Sequence, residues 1–265
     1  HTRSIWVNGV QTCALPICAG VIEVPLVADR GFAIDVDAVL AAWNEQVKLV
    51  FVCTPNNPTG NLLDRRAVET LCEKLQGKAI VVVDEAYIEF ARTESMTSLL
   101  SRFENLAILR TLSKAYALAG TRCGALIAHA DIVSLLARVI TPYALPTQTI
   151  EAVLKFTDEA HCAESRQRIE TVLSERTRLS EQLARQPLIR RVWPSDSNFL
   201  LVDCVDADRV LQAAVAAGLI IRDPRSQAAL ANCLRISVGT PEQNDRLVRG
   251  IATAVVDKKV AGDAA

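Results

Sequence analysis

Three short apolar runs, at 49–53, 79–83 and 106–109, constrain this chain more than any other feature of its sequence. Each carries apolar side chains on both faces, the pattern of a strand in a parallel sheet covered on each side rather than of a strand with one wet face. Each run then gives way to a polar motif: CTPNNPTG at 53–60, DEAY at 84–87 and TLSKAYALAGTRCG at 111–124. Parallel strands need a crossover, and one is visible between the first two runs. Leu63, Ala67, Leu71 and Leu75 repeat every four residues, Val68 and Cys72 fall on the same side, and Asp64 stands where an N-cap belongs. In open α/β sheets ligands bind beyond the carboxyl ends of the strands, so the three motifs are expected to converge in space.

The rest of the chain extends this alternation. Residues 21–27 (VIEVPLV) read as a strand and 35–45 (DVDAVLAAWNE) as a helix. After TPYALP at 141–146 the sequence is strongly helical to about residue 186, with 161–186 reading as a solvated amphipathic helix. Beyond Pro187 the texture changes to NFLLVDC, DADRVLQAAVAAG, LIIRD, CLRISVG and a last helix from Pro241. The expected architecture is α/β. A large domain over 18–145 holds a mostly parallel sheet sandwiched by helices; a connecting helix and a smaller α+β domain occupy 146–265. Residues 1–17 show neither alternation nor helical spacing, and VQTCALPI resembles the conceptual translation of a sequencing adapter. The expectation is a non-native leader and a large domain incomplete at its N-terminus.

Composition removes several function classes. A net charge of -1 over 265 residues, with no run of like charges, gives no electrostatic footprint for nucleic acid. No apolar stretch is long enough to span a bilayer, so a soluble, cytoplasmic protein is expected. The eight cysteines form no CxxC pair and no Cys/His cluster at ligand spacing, which points to reduced thiols and to no metal site. None of the three histidines, His1, His129 and His161, neighbours a nucleophile motif, so a histidine-based triad is not expected.

The motifs themselves supply a consistent chemistry. A lysine amine such as Lys114 captures an aldehyde cofactor as a Schiff base and can then shuttle a proton. Thr111, Ser113 and Arg122 bracket it with two hydroxyls and a guanidinium fork suited to a phosphate. Asp84, at the end of VVVD, can pair with a pyridine nitrogen and keep it protonated. Tyr87 and Asn57 can donate hydrogen bonds to a phenolic oxygen on the same ring. Read singly, Lys114 is a surface lysine, Asp84 a cap and NNPTG a turn; in this order the three motifs suggest a pyridoxal-phosphate site.

PNNPTG, DEAY, SKAYALAGTRCG, NFLLV, IIRD and LRISVGT, in that order, resemble the fold-type-I pyridoxal-phosphate aminotransferases, and among them the histidinol-phosphate aminotransferases, from about Cys18 to the C-terminus. The resemblance implies that Lys114 is the Schiff-base lysine and Asp84 the pyridine-nitrogen partner. It makes Tyr87 and Asn57 the phenolic-oxygen partners, and Thr111, Ser113 and Arg122 the phosphate ligands. Arg235 resembles the arginine that binds a substrate carboxylate in many members. With Arg222 it would clamp a substrate phosphate, and Asn198 would line the same site. The implied activity is transamination between histidinol phosphate and 2-oxoglutarate, in the direction that consumes imidazole-acetol phosphate and glutamate in histidine biosynthesis. Its partners would be a phosphorylated amine, a 2-oxo acid and a second copy in a homodimer. A related aromatic aminotransferase, a threonine-phosphate decarboxylase and a non-enzymatic aminotransferase-like sensor domain are the alternatives. The family's upstream phosphate cradle, stacking aromatic and N-terminal arm have no counterpart here, so the chain as written is expected to be poorly active.

Overall fold

The computed structural model describes residues 3–6 and 20–262. They fall into two units, one of His1–Asn57 and Asn61–Gln167, the other of Pro58–Gly60 and Arg168–Ala265. The division after Gln167 lies inside a continuous helix, further along the chain than the 145/146 boundary expected from composition.

The first unit is built on a six-stranded sheet in the order β2-β1-β3-β4-β5-β6. At its centre β3 (Val47–Cys53), β4 (Ile80–Asp84) and β5 (Leu106–Thr111) run parallel. These are the three apolar runs: Val50, Val52, Val81, Val83, Leu106 and Ile108 are buried on one face of the sheet, and Cys53, Val82 and Ala107 on the other. The register sets Cys53 opposite Asp84 and Asp84 opposite Leu109, so the carboxyl ends of the three strands form one row. The crossover helix α2 (Arg65–Lys74) starts where expected, with the Asp64 carboxylate accepting from the Arg66 amide at 2.9 Å. It buries Val68, Leu71 and Cys72. Full burial of one such aliphatic side chain contributes about 1.5–3 kcal/mol, enough to hold an amphipathic helix of ten residues whose propensity alone would not. Asn105 then ties the helix to the sheet, its amide donating to the carbonyls of Cys72 and Ala79.

Several boundaries move from their sequence-based positions. The strand expected at 21–27 is β2 (Gly20–Glu23), ending just ahead of Pro25, which has no N–H for a ladder. The helix expected at 35–45 is α1 (Val36–Ala42), capped by Asp35 through the Ala38 amide. Elements that were not anticipated include β6 (Gly124–Ala128), antiparallel to β5, and α3 (Ala130–Ala137). Part of the expected leader is also a strand. The backbone of β1 (Arg3–Trp6) pairs parallel with both β2 and β3, Ile5 opposite Ile22 and Val50; the remainder of 1–17 lies outside the described residues. The helical stretch after 146 is two helices, α4 (Thr147–Phe156) and α5 (Glu159–Ala184). Asp158 separates them by accepting from the His161 amide at 2.8 Å.

The second unit holds a three-stranded antiparallel sheet, β7 (Ile189–Val192), β8 (Phe199–Cys204) and β9 (Cys233–Ser237), in that order. Helices α6 (Ala207–Ala216) and α7 (Pro241–Gly262) complete it. Its core gathers Leu179, Leu183, Leu200, Val202, Leu234 and Ile251. Close helix packing depends on small residues, since a Cβ on Gly250 would come within 3.2 Å of the Ala213 carbonyl. LIIRD, expected as a strand, forms only an isolated bridge between Arg222 and Arg235. Pro224 lacks an amide hydrogen, and Asp223 turns the backbone by accepting from the Arg225 amide, so no ladder can extend past this point. Among the described residues no helix is long and apolar enough to cross a membrane.

Candidate active site

All three motifs begin at the row of strand ends in the first unit. After β3, the turn 54–61 is closed by the Asn56 amide on the Asn61 carbonyl at 2.8 Å and by the Leu63 amide on Thr54 Oγ1 at 3.0 Å. Cys53 is buried beneath it, its thiol donating to the Pro55 carbonyl at 3.4 Å. Burial and the neighbouring Asp84 charge push that thiol up to about 12, opposed by the Asn57 amide at the sulphur, so Cys53 stays un-ionised. Asn57 is half-buried at this turn. Gly60 belongs to the second unit and has φ +80°; a Cβ there would fall 2.5 Å from Ser195 Oγ, which explains the glycine.

Asp84 is the last residue of β4, and its carboxylate accepts from the Ala86 amide at 2.9 Å. Burial raises its pKa above the usual aspartate range, while the Ala86 hydrogen bond and the positive charge of Lys114 pull it back. Tyr87 follows, buried. Lys114 lies over it, with Nζ 5.2 Å from the ring centroid. Its side chain is exposed and, among the described residues, makes no ion pair. The loop holding Lys114 is folded by its own backbone: Ala117 donates to the Lys114 carbonyl, Leu118 to that of Leu112, and Leu112 to that of Cys123. Ala117 (φ 57°) and Arg122 (φ 54°) both adopt the left-handed conformation, which is uncommon away from glycine and strains this loop. Thr111 Oγ1 donates to Ser113 Oγ at 2.9 Å and accepts from the Ser113 amide, placing the two hydroxyls side by side. Arg122 is exposed and donates to the Ala119 carbonyl at 3.2 Å.

The remaining candidates belong to the second unit. The bridge between Arg222 and Arg235 exchanges both backbone hydrogen bonds, at 3.0 and 2.9 Å. Directly opposed residues of an antiparallel pair project to one face, so two arginines thirteen positions apart become neighbours. The Asp223 carboxylate is taken by Arg225, and among the described residues Arg222 has no ion-pair partner. Arg235 is half-buried, its guanidinium 4.9 Å from the Phe199 ring centroid. Asn198 precedes β8 and its carbonyl accepts from the Val238 amide just beyond β9.

Sequence reasoning missed one charged group beside these motifs. Glu85, fully buried, accepts from Ser95 Oγ (2.6 Å) and the Met96 amide (2.7 Å), and pairs with Arg110. Arg110 also bonds Glu89 at 2.7 Å. A charge at the end of an apolar strand, as Arg110 stands in LAILRT, is the one signal that could have drawn attention to it. Arg110 and Glu89 also line a cavity of about 440 Å³ with Thr111, Tyr116 and Cys123. Among the described residues no group of His, Cys, Asp or Glu is placed to hold a metal ion.

The histidinol-phosphate aminotransferase of Xylella fastidiosa (strain 9a5c) is 47% identical over 232 residues, 87% of this chain and 64% of that protein. Its namesake in Xanthomonas campestris pv. campestris is 44% identical over 239 residues, 89% of this chain and 66% of that protein. The chain thus spans just under two thirds of the length of the curated relatives it matches. Among solved structures, the histidinol-phosphate aminotransferase of Clostridium acetobutylicum aligns with a TM-score of 0.84 at 20% identity, covering 96% of this chain and 77% of that one. The Sinorhizobium meliloti enzyme in complex with pyridoxal-5'-phosphate gives 0.83 at 24%, covering 97% and 71%. These likenesses show a shared fold. The family model described as aminotransferase class I and II matches residues 6–251, nearly the whole chain, and on that match the chain belongs to the aminotransferase class I and II family.

Proposed function

We propose that this chain serves pyridoxal-phosphate-dependent transamination between histidinol phosphate and 2-oxoglutarate, running toward histidinol phosphate from imidazole-acetol phosphate and glutamate, with the low turnover expected of the sequence as written. The observation that carries the reading is the meeting of an exposed lysine amine, a buried tyrosine ring and a half-buried carboxylate at one row of strand ends. The donor set fits the cofactor: one amine, one carboxylate for a ring nitrogen, and two adjacent hydroxyls near an arginine for a phosphate. The relatives' names support the substrate.

When bound, the cofactor supplies an aldehyde that exchanges amines and a ring that accepts electrons. Lys114 Nζ moves a proton from the amine-bearing carbon of the substrate. Asp84 would hold a proton on the pyridine nitrogen, and its half-buried position would strengthen that pairing because less water competes. Tyr87 and Asn57 would donate to the phenolic oxygen, while Thr111, Ser113 and Arg122 would hold the phosphate. Arg222 and Arg235 together offer a substrate dianion two guanidinium forks, more charge than a carboxylate needs, and Asn198 lines that position.

Cytoplasmic location and a homodimer go with this reading. The test is an absorption spectrum of the protein with pyridoxal phosphate, before and after histidinol phosphate. A visible band that histidinol phosphate shifts to the near ultraviolet supports cofactor and substrate together. A band answering only another amine overturns the substrate, release of carbon dioxide marks a decarboxylase, and no band at all overturns the enzymatic reading.

A further inference from the structure

The Arg110 guanidinium hydrogen-bonds to none of the residues assigned to the cofactor, yet it joins two of the three strand ends that carry them. It stands one residue before Thr111 on β5. Nη1 lies 3.2 Å from Glu85 Oε2 and Nη2 2.7 Å from Glu89 Oε1. Glu85 directly follows Asp84, and Glu89 comes two residues after Tyr87. The segment bearing Tyr87 is therefore pinned on both sides by one side chain rooted in the neighbouring strand, next to the loop of Thr111, Ser113 and Lys114. We propose that Arg110 is a positioning residue that fixes Asp84 and Tyr87 against Thr111 and Lys114 through this two-carboxylate clamp; its bearing on the cofactor rests on the function proposed above.

Three physical arguments support the assignment. Buried ion pairs rarely stabilise a fold more than well-packed apolar side chains would, so a clamp of this kind is better explained by the geometry it fixes. The pairing is also not optimised for stability, since Glu89 Oε2 and Arg110 Nε are buried without a hydrogen-bond partner. Finally, the planar guanidinium can span two carboxylates at once, which a lysine ammonium cannot do in the same geometry. The backbone repeats the link, with the Glu85 amide donating to the Leu109 carbonyl at 2.9 Å, so the clamp sets side-chain placement on strands already in register.

Arg110→Lys and Glu89→Gln test this. Amide exchange is followed by mass spectrometry in peptides covering 84–90 and 111–118 without cofactor, and pyridoxal-phosphate affinity is measured by absorbance. Arg110→Lys keeps the charge, so the melting temperature should stay within a few degrees. Exchange should nevertheless rise at least fivefold in both segments, with peptides of β7, β8 and β9 unchanged and cofactor affinity about tenfold weaker. Glu89→Gln should accelerate mainly 84–90. Unchanged exchange, or an equal rise throughout the first unit, would overturn the positioning role. A parent protein that binds no cofactor would sink the proposed function, while the exchange pattern would still decide the clamp.

Discussion

β4 and β6 belong to one sheet and are both apolar, but they live in different surroundings. Val81, Val82 and Val83 of β4 are buried on both faces. On β6, Ile127 is 40% exposed, and the apolar exposure continues into the segment that follows, with Val139 at 74%, Tyr143 at 98% and Leu154 at 69%. Strand β5, paired with both, is buried over its first three residues and half-buried over its last three. Every candidate cofactor residue ends or follows β3, β4 or β5, and none lies on β6. Tight packing on both faces fixes strand ends to within the tolerance that a reacting constellation requires.

The sharpest way to break this comparison is at Lys114. Borohydride should fix pyridoxal phosphate covalently to the parent protein but not to Lys114→Ala, as read by intact mass. Turnover should fall at least ~10⁴-fold, roughly 5 kcal/mol of barrier. The melting temperature should barely move, because the lysine's side chain meets the Tyr87 ring, worth about 0.5–1 kcal/mol at an exposed site, and acts on Asp84 only through its charge. Retained capture of the cofactor would move the chemistry away from the strand ends. The next largest effect belongs to the packed centre. Ile108→Ala opens a cavity in β5 and should cost about 2–5 kcal/mol in urea unfolding. A loss below about 1 kcal/mol would mean that β5 is as loosely held as β6.

The sequence makes the packed part of the molecule legible for local reasons. Strands β3, β4 and β5 announce themselves as uninterrupted apolar runs, and α2 through its four-residue period and its Asp64 cap. The motifs are readable because each begins where a run stops. β6 and α3 escape because residues 124–137 are apolar without a period, and the faces they cover depend on residues far away in sequence. LIIRD misleads in the opposite direction: its apolar run suggests a strand, but Asp223 and Pro224 end the pairing after one bridge. The clamp of Glu85, Arg110 and Glu89 is opaque because isolated charges usually mark a wet surface, and only the fold shows that Glu85 is fully buried. The change of unit within α5 leaves no mark, since a continuous helix needs no linker composition.

Asp84 sharpens the comparison through pH. Its carboxyl pKa is raised in the folded chain, so the native state binds more protons than the unfolded state between the ordinary aspartate value and the raised one. Stability of the cofactor-free protein should therefore fall as pH rises through that interval, leaving the ionised carboxylate a burden at neutral pH. Asp84→Asn keeps an oxygen for the Ala86 amide and removes the charge. The variant should be more stable than the parent at pH 7, with the difference vanishing below about pH 4, where an ordinary aspartate is itself protonated. Cofactor affinity should move the other way, losing about 2–3 kcal/mol, as when one partner of a buried charge pair is removed. Melting curves across pH together with cofactor titration check both halves. A variant less stable than the parent at pH 7 would show that the Lys114 charge outweighs the burial.

The smallest effect is expected at Val139, beyond β6. Its side chain is mostly in solvent, so Val139→Lys removes little apolar area from contact and buries no charge. Unfolding free energy should change by no more than about 0.5 kcal/mol, the range of surface substitutions away from packed features. Solubility should rise, because the substitution breaks an apolar stretch shared with Ile140 and Tyr143. Urea titration at two protein concentrations distinguishes the cases. A loss above about 1 kcal/mol that grows with concentration would mean that the surface is covered by association in solution, and β6 would then belong with β4. A small, concentration-independent change keeps the two strands apart: equal in apolarity, but with only β4 held by enough contacts to position chemistry at its end.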